Sequence, residues 1–293
     1  MKLFRSFQEL NITEPVSMTI GKFDGVHKGH TDLIGRLSGK RFVFTFDISD
    51  SDGLITTASE RRERFESLGV DYLFECPFDR SVLNMEPQEF ISELMRHVNI
   101  QKIVVGTDFR FGRDRAGDCE TLKELGKTLG FVVEVADKLL NEDREISSSY
   151  IREEIAGGHM EKVNELLGMP YFCDGTVVTG NRIGRTIGFP TANVPVDPAK
   201  LMPPFGVYKA SLATKDGLIY ADGIADLGRK PTIRSKDGVN PVCIEINLFD
   251  FSEDIYGREV RVCLHSFIRP ERKFDSVDAL KQQIAEDIKS IKR

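Results

Sequence analysis

Two histidines three residues apart, His27 and His30, lie in Gly21-Lys22-Phe23-Asp24-Gly25-Val26-His27-Lys28-Gly29-His30. Their spacing around Gly29 could turn both imidazoles toward one anionic ligand. The stretch follows an apolar run and precedes a helical pattern. A helix start presents unpaired amides and the positive end of the helix dipole, which together attract phosphate. Gly21 and Gly25 let the backbone bend and come close to such a group. Two histidines could also ligate zinc, or sit solvated on a plain turn. No cysteine or carboxylate set with metal-ligand spacing lies nearby.

Two further segments could complete that site. Ile146-Ser147-Ser148-Ser149-Tyr150-Ile151-Arg152 puts serines at a helix cap and an arginine one turn in, which suits a phosphate. Capping serines and solvated helix arginines are also common on their own. Gly106-Thr107-Asp108-Phe109-Arg110-Phe111-Gly112 follows a strand and carries two aromatics with an arginine. Packing of Phe109 and Phe111 against the sheet edge is the alternative to a ligand role.

A second glycine-bearing stretch, Gly184-Arg185-Thr186-Ile187-Gly188-Phe189-Pro190-Thr191-Ala192-Asn193, does not fit the common P-loop pattern. Gly184 and Gly188 would let a loop close over a polyphosphate, and Arg185 supplies charge. Thr191 and Asn193 share a face of an extended segment. Their oxygens suit Mg²⁺, which binds through a few hard protein donors plus phosphates. Phosphorylating an alcohol also needs a proton acceptor. Glu245 is the candidate, since Ile244, Ile246 and Leu248 occupy one face of a strand and Glu245 and Asn247 the other. Any half-exposed strand has that pattern too. Gly126-Lys127-Thr128 resembles the end of a P-loop, but Thr121 stands where glycine is required and the segment reads as helix.

The elements that must position these residues fall into two patterns. Strands at 16–20, 42–46, 70–74, 102–105 and 131–135 alternate with helices at 31–38, 59–68, 87–98 and 119–129. That order predicts a parallel sheet covered on both faces, with ligands beyond the carboxyl ends of its strands. Helices at 148–156 and 160–167 close this half. From residue 172 the pattern changes to period two with Gly, Pro and Asp between runs. Strands at 207–213, 219–225, 242–249 and 260–264 predict a small antiparallel barrel or sandwich. An amphipathic helix at 276–291 carries Val277, Leu280, Ile284, Ile288 and Ile291 on one stripe. The predicted domains are 1–167 and 168–293.

Composition narrows the classes. With 40 Lys and Arg against 46 Asp and Glu, the net charge is −6. This argues against general nucleic-acid binding, which needs surplus basic charge. No apolar run approaches membrane-spanning length, and no signal-peptide core begins the chain. Five cysteines without a C-x-x-C pair point to reduced thiols and a cytoplasmic protein.

The histidine stretch, the G-x-D-F-x-F-G loop and the I-S-S-S-x-I-R helix resemble the adenylyltransferase module of bacterial bifunctional riboflavin kinase/FAD synthetases, within the wider HxGH nucleotidyltransferase group. G-R-x-x-G-F-P-T-A-N resembles their riboflavin kinase module. So do Gly206-Val207-Tyr208, Pro231-Thr232, Asp254-Ile255-Tyr256-Gly257 and the ending Phe267-Ile268-Arg269-Pro270-Glu271-Arg272-Lys273-Phe274. The likeness runs from about residue 16 to 287. It implies a Rossmann-like nucleotidyltransferase domain followed by a six-stranded β-barrel with a C-terminal helix. The implied activities are ATP-dependent phosphorylation of riboflavin to FMN and adenylylation of FMN to FAD, both with Mg²⁺. His27, His30 and Arg152 would hold ATP phosphates. Asp108, Phe109 and Arg110 would lie near flavin or nucleotide. Thr191 and Asn193 would sit at Mg-ATP, Glu245 would be the base, and Arg269 would belong to a mobile flavin-side loop. Gly21, Phe23, Asp24, Gly25, Gly29 and Ser148 would line one nucleotide site, and Gly184, Arg185, Gly188 and Pro190 the other.

The chain departs from that pattern at three places. A Pro-His-Pro-like stretch usually follows the counterpart of Asp47, where this chain reads Ile48-Ser49-Asp50-Ser51-Asp52-Gly53. Lys22 and Asp226 each stand where asparagine is common. The departures leave two rivals, a kinase whose first module has lost activity and a flavin- or nucleotide-binding regulator without turnover.

Overall fold

The structure is a computed structural model that describes residues 1–48, 51–77, 80–180, 188–229 and 241–291. Its contacts divide the chain into two units, Met1–Ser51 with Thr56–Ser148, and Asp52–Ile55 with Ser149–Arg293.

The first unit is a parallel sheet built from β1 (Lys2–Phe4), β2 (Ile12–Gly21), β3 (Lys40–Phe46), β4 (Tyr72–Cys76), β5 (Val98–Gly106) and β6 (Val132–Ala136). Their order across the sheet is β1-β4-β3-β2-β5-β6, and every pairing is parallel. The helices between them are α1 (Lys28–Gly35), α2 (Ala58–Ser67), α3 (Arg80–Leu83), α4 (Pro87–His97) and α5 (Cys119–Leu129). A short hairpin of β7 (Leu140–Asn141) and β8 (Arg144–Glu145) follows.

Side-chain parity along the strands assigns the two faces. Phe42, Phe44, Ile103 and Val105 pack with Phe90, Ile91, Leu94 and Leu122 of α4 and α5. Val43 and Leu73 point the other way, into a smaller cluster with Ile34 of α1 and Phe65 of α2. From β2 the chain goes to β3 on one side and later to β5 on the other. The switch point, where ligands bind in open α/β sheets, therefore lies at the carboxyl end of β2. Two strand starts were not legible in the sequence. β1 is three residues at the sheet edge, too short for a period, and β5 begins at Val98, directly after α4.

The second unit opens with most of α6 (Ser148–Gly157) and α7 (Met160–Leu167). Its sheet contains β9 (Tyr171–Thr176), β10 (Ala192–Pro195), β11 (Gly206–Thr214), β12 (Tyr220–Arg229), β13 (Val242–Leu248) and β14 (Glu259–Pro270). The order is β10-β13-β12-β11-β14-β9, all antiparallel. The two edge strands come together. Val178 donates its backbone N–H to the Asn193 carbonyl at 2.8 Å, and a side chain at Gly175 would strike Val194. The antiparallel sheet thus curls into a barrel around Tyr208, Ala210, Leu227, Ile244, Ile246 and Val262, all buried.

The C-terminal helix α8 (Val277–Ile291) follows. Its predicted apolar stripe is only partly covered, with Val277 well exposed. The buried residue of this helix is an acid, Asp287, which receives Arg269 through Nε at 3.1 and 3.0 Å and Nη2 at 2.8 Å. Periodicity cannot register a buried ion pair, because the partner comes from another element. Among the described residues no helix is long and apolar enough to cross a membrane.

Candidate functional site

The turn after β2 is strained and anchored by its own apolar residues. Phe23, Gly25 and Val26 have φ of 52°, 83° and 39°. A β-branched residue such as Val26 rarely adopts that region, which costs on the order of 1–3 kcal/mol. Both non-glycine side chains are buried with Ile34, Val43 and Phe65, and burial of such groups contributes about 1.5–3 kcal/mol each. Asp24 secures the same turn. Its carboxylate accepts the Thr56 amide at 3.3 Å, and its carbonyl accepts the Ser148 hydroxyl at 2.9 Å. Gly25 donates its amide to Thr56 Oγ1 at 3.1 Å.

His27 is the N-cap residue of α1 but makes no side-chain cap bond. Its ring stacks on that of His30, with centroids 3.6 Å apart and planes 21° from parallel. The His30 ring also meets Phe23 edge-on at 4.9 Å. A side chain at Gly29 would press on the His27 ring at 3.2 Å, and one at Gly21 on the Phe23 ring at 3.1 Å. The Nδ1 atoms of both histidines are buried without a hydrogen-bond partner. Burial pushes the His27 pKa down to about 4. Burial and then the neighbouring His27 push His30 well below the ordinary histidine range. Near neutral pH both rings are uncharged, each with one N–H to donate.

This burial makes stability depend on pH. Above the ordinary value of 6.5, His27 is neutral both folded and unfolded. As pH falls from 6.5 toward about 4, the unfolded chain takes up a proton that the folded chain does not, and stability is lost. Below about 4 both states are protonated and the loss stops growing. Its full size is about 3 kcal/mol, from the pKa difference. Urea unfolding of wild type and His27→Gln at pH 7 and pH 4.5 checks this. The wild type should lose about 2–3 kcal/mol more than the variant on acidification.

A cavity of about 550 Å³ opens at the carboxyl ends of four adjacent strands. It is lined by Ile20 and Gly21 at the end of β2 and Lys22 after it, Phe46 of β3, Gly106 of β5 and Asp108 to Gly112 beyond it, and Ala136 of β6 and Asp137 to Leu139 beyond it. Phe23, His27, Gly29, His30, Ser147 and Ser148 complete one wall. The predicted Asp108, Phe109 and Arg110 all line it. Phe109 stacks on Phe111 at 5.3 Å, Asp108 pairs with Lys138 at 3.1 Å, and Arg110 lies 3.8 Å from Asp118. Asp24, Gly25 and Arg152 do not line the cavity. Arg152 lies on α6 within the second unit. Ser148 is the first residue of α6, and its hydroxyl is spent on the Asp24 carbonyl rather than on capping.

Phe46, Arg115 and Lys138 line the same cavity and were not singled out in the sequence. Phe46 and Lys138 follow from topology once the strand order is known, since each stands at a carboxyl end next to β2 or β5. Gly112 turns the loop with φ of 72°, and a side chain there would lie 2.8 Å from the Pro87 ring. Gly112→Ala should therefore destabilise the first unit by roughly 1–3 kcal/mol. A lowered urea midpoint for this unit is the readout.

In the second unit the strand register does the assembling. Asn193 of β10 lies directly opposite Glu245 of β13, and Glu245 directly opposite Asp226 of β12. Cross-strand partners share a face, so the three side chains form one row. Asn193 is buried and its Oδ1 has no hydrogen-bond partner. Glu245 is half-buried beside buried Ile244 and Ile246. Asn247 is not solvated as the strand pattern suggests. It is buried and donates to the Pro190 carbonyl at 2.7 Å, holding the chain just before Thr191. A separate cavity of about 370 Å³ is lined by Pro190, Thr191, Ile246, Leu248 and residues 251–256. Gly188, with φ of 90°, takes a backbone conformation that favours glycine. Gly184, Arg185 and the Pro231-Thr232 pair lie outside the described residues. Arg269 lies in a strand rather than a loop. It is the penultimate residue of β14, paired with Val207, with its guanidinium held by Asp287.

A parallel sheet carrying paired histidines at its switch point, in one chain with an antiparallel barrel carrying the Pro-Thr-Ala-Asn strand start, defines a two-domain nucleotide-handling protein. The FAD synthetase family model matches residues 9–150 and the riboflavin kinase family model residues 167–293. A bifunctional riboflavin kinase/FMN adenylyltransferase of Bacillus subtilis is 37% identical over 92% of this chain and 89% of its own length. The Haemophilus influenzae protein of the same name is 34% identical over 100% and 98%. A crystal structure described as a macrolide-efflux protein from Streptococcus pneumoniae matches with a TM-score of 0.88 and 30% identity, over 100% of this chain and 98% of that one. The chain belongs to the bifunctional riboflavin kinase/FMN adenylyltransferase family.

Proposed function

We propose that this chain makes both flavin cofactors in sequence, riboflavin to FMN in the domain 168–293 and FMN to FAD in the domain 1–167. The observation that carries the reading is that each unit holds its own cavity beside its own family motif. The −6 net charge and five free cysteines fit a cytoplasmic enzyme acting on small molecules.

For adenylyl transfer, a phosphate oxygen of FMN attacks the α-phosphorus of ATP, and the bond from that phosphorus to the α,β-bridging oxygen breaks to release pyrophosphate. The phosphate monoester is already nucleophilic, so no general base is required. The residues supply position and charge. His27 and His30 donate N–H bonds to ATP phosphates while neutral. Gly21, Phe23, Gly29 and Ser148 form the nucleotide side, and Asp24 and Gly25 hold the turn behind it. Asp108, Phe109 and Arg110 form the flavin side, where the stacked Phe109 and Phe111 offer an aromatic wall to an isoalloxazine ring.

For phosphorylation, Glu245 accepts the proton of the ribityl 5′-hydroxyl as that oxygen attacks the γ-phosphorus, and ADP leaves. Gly184, Arg185, Gly188 and Pro190 hold the nucleotide, and Arg269 lies on the flavin side. The hydroxyl of Thr191 lines the cavity, and the buried, unpartnered Oδ1 of Asn193 lies behind it rather than on its wall; both are hard donors of the kind Mg²⁺ takes. Bound there, the metal would neutralise phosphate charge.

Chromatography of products from riboflavin and Mg-ATP tests both steps. FMN should appear first and FAD after it. FMN alone would favour a kinase with an inactive first domain. Neither product would leave a binding regulator.

A further inference from the structure

β2 and β3 are paired up to Gly21 and Thr45, and the next residues, Lys22 and Phe46, are not paired with each other and both line the first cavity, while Phe46 still pairs with Cys76 of β4 on its other side. The Lys22 and Phe46 carbonyls then need donors from elsewhere. One side chain serves both. Arg61 of α2 donates through Nη1 to the Lys22 carbonyl at 3.1 Å and through Nη2 to the Phe46 carbonyl at 3.3 Å. The Thr45 hydroxyl also donates to the Lys22 carbonyl, at 3.1 Å. Lys22 and Phe46 both line the cavity, while Arg61 lies entirely beneath it with no solvent exposure.

Arg61 is itself held in place. The helix that carries it starts with a reciprocal capping box between Thr57 and Glu60. Its Nη2 is 3.6 Å from Glu75, whose carboxylate is gripped by Arg62 at 2.6 Å. Enclosing a guanidinium this completely is expensive, and an apolar filler usually serves stability as well or better. Its Nε is left without a partner, a further cost that packing does not explain. What only this side chain provides is a rigid planar fork reaching two carbonyls at once. A lysine ammonium is a single point on a flexible stem.

We propose that Arg61 is a positioning residue for adenylyl transfer. It ties the last residue before the histidine turn to the end of the neighbouring strand. The separation between the wall bearing His27 and His30 and the wall bearing Phe46 is thereby fixed. The inference rests on the first domain making FAD from FMN.

The test uses the full chain with Arg61→Lys and Arg61→Met, the latter an apolar filler of similar length. FAD formation from FMN and ATP is measured at low temperature beside riboflavin phosphorylation by the same samples. Both variants should lose about 10–100-fold in kcat for FAD formation, as expected when reacting groups are displaced by a fraction of an ångström to 1 Å. KM for ATP should change much less, and riboflavin phosphorylation should stay at the wild-type rate. Methylguanidinium should partly restore FAD formation in Arg61→Ala. Wild-type kcat in either folded variant would overturn the proposal, as would a loss no greater than the unfolded fraction measured by urea titration. Should Arg61→Met fail to fold, Arg61→Lys decides alone. A wild-type chain that makes no FAD would instead overturn the two-activity reading, and this proposal with it.

Discussion

Glu245→Gln is expected to lower the kcat of riboflavin phosphorylation by about 10²–10⁴-fold, the usual contribution of a positioned general base. Glutamine keeps the shape and the hydrogen-bonding oxygen but cannot accept the proton of an alcohol. The register places this carboxylate beside Asn193, the second residue of the strand that follows Thr191. Riboflavin binding, followed by flavin fluorescence, should be nearly unchanged. FAD formation from supplied FMN should also persist, because the other cavity is built wholly within the first unit. Unchanged phosphorylation would remove Glu245 from the mechanism. The neighbouring Asp226 adds a second carboxylate to the row. Its effect is readable in the same assay as a change in KM on Asp226→Asn.

His30→Ala should have the complementary result, a loss of about 10²–10³-fold in kcat for FAD formation with phosphorylation intact. That range is typical for deleting one preorganised donor to developing charge. The ring also supports the turn through its stacks on His27 and Phe23, so truncation mixes lost packing with lost chemistry. His30→Phe separates them, since it keeps an aromatic ring and removes the N–H. Both variants should be similarly slow if the donor matters. Recovery of activity in His30→Phe would assign the residue to packing alone. Neutral imidazoles carry a further expectation. The rate of FAD formation should show no inflection at the ordinary histidine pKa, because both groups have been moved below it.

Much of this architecture was legible because it is local. The helix expected at 119–129 is α5, with those bounds, and the structure adds that Asp118 caps it by accepting the Thr121 amide at 2.9 Å. The change from alternating strands and helices to period-two runs marks two sheets of different kinds. The histidine turn and the Pro-Thr-Ala-Asn stretch are short continuous motifs, so their identities needed no tertiary information. The strand read at 260–264 runs on through Arg269, which the family likeness had implied to be in a loop; the continuation is fixed by pairing with the distant β11. Pro270 is accommodated at the final residue of β14, where only β11 flanks the strand and Gly206 is its partner.

By itself the sequence determined the elements, their two patterns and the chemistry-bearing residue types, since these depend on spacing along one segment. Only the tertiary structure decided who meets whom. It put Asn193, Glu245 and Asp226 in one row, because register is set by pairing between strands distant in sequence. It emptied the two imidazoles of charge, because desolvation comes from everything packed around them. It also brought Arg61 under the ends of β2 and β3, a contact no period or motif encodes, because a buried side chain is defined by the neighbours that enclose it.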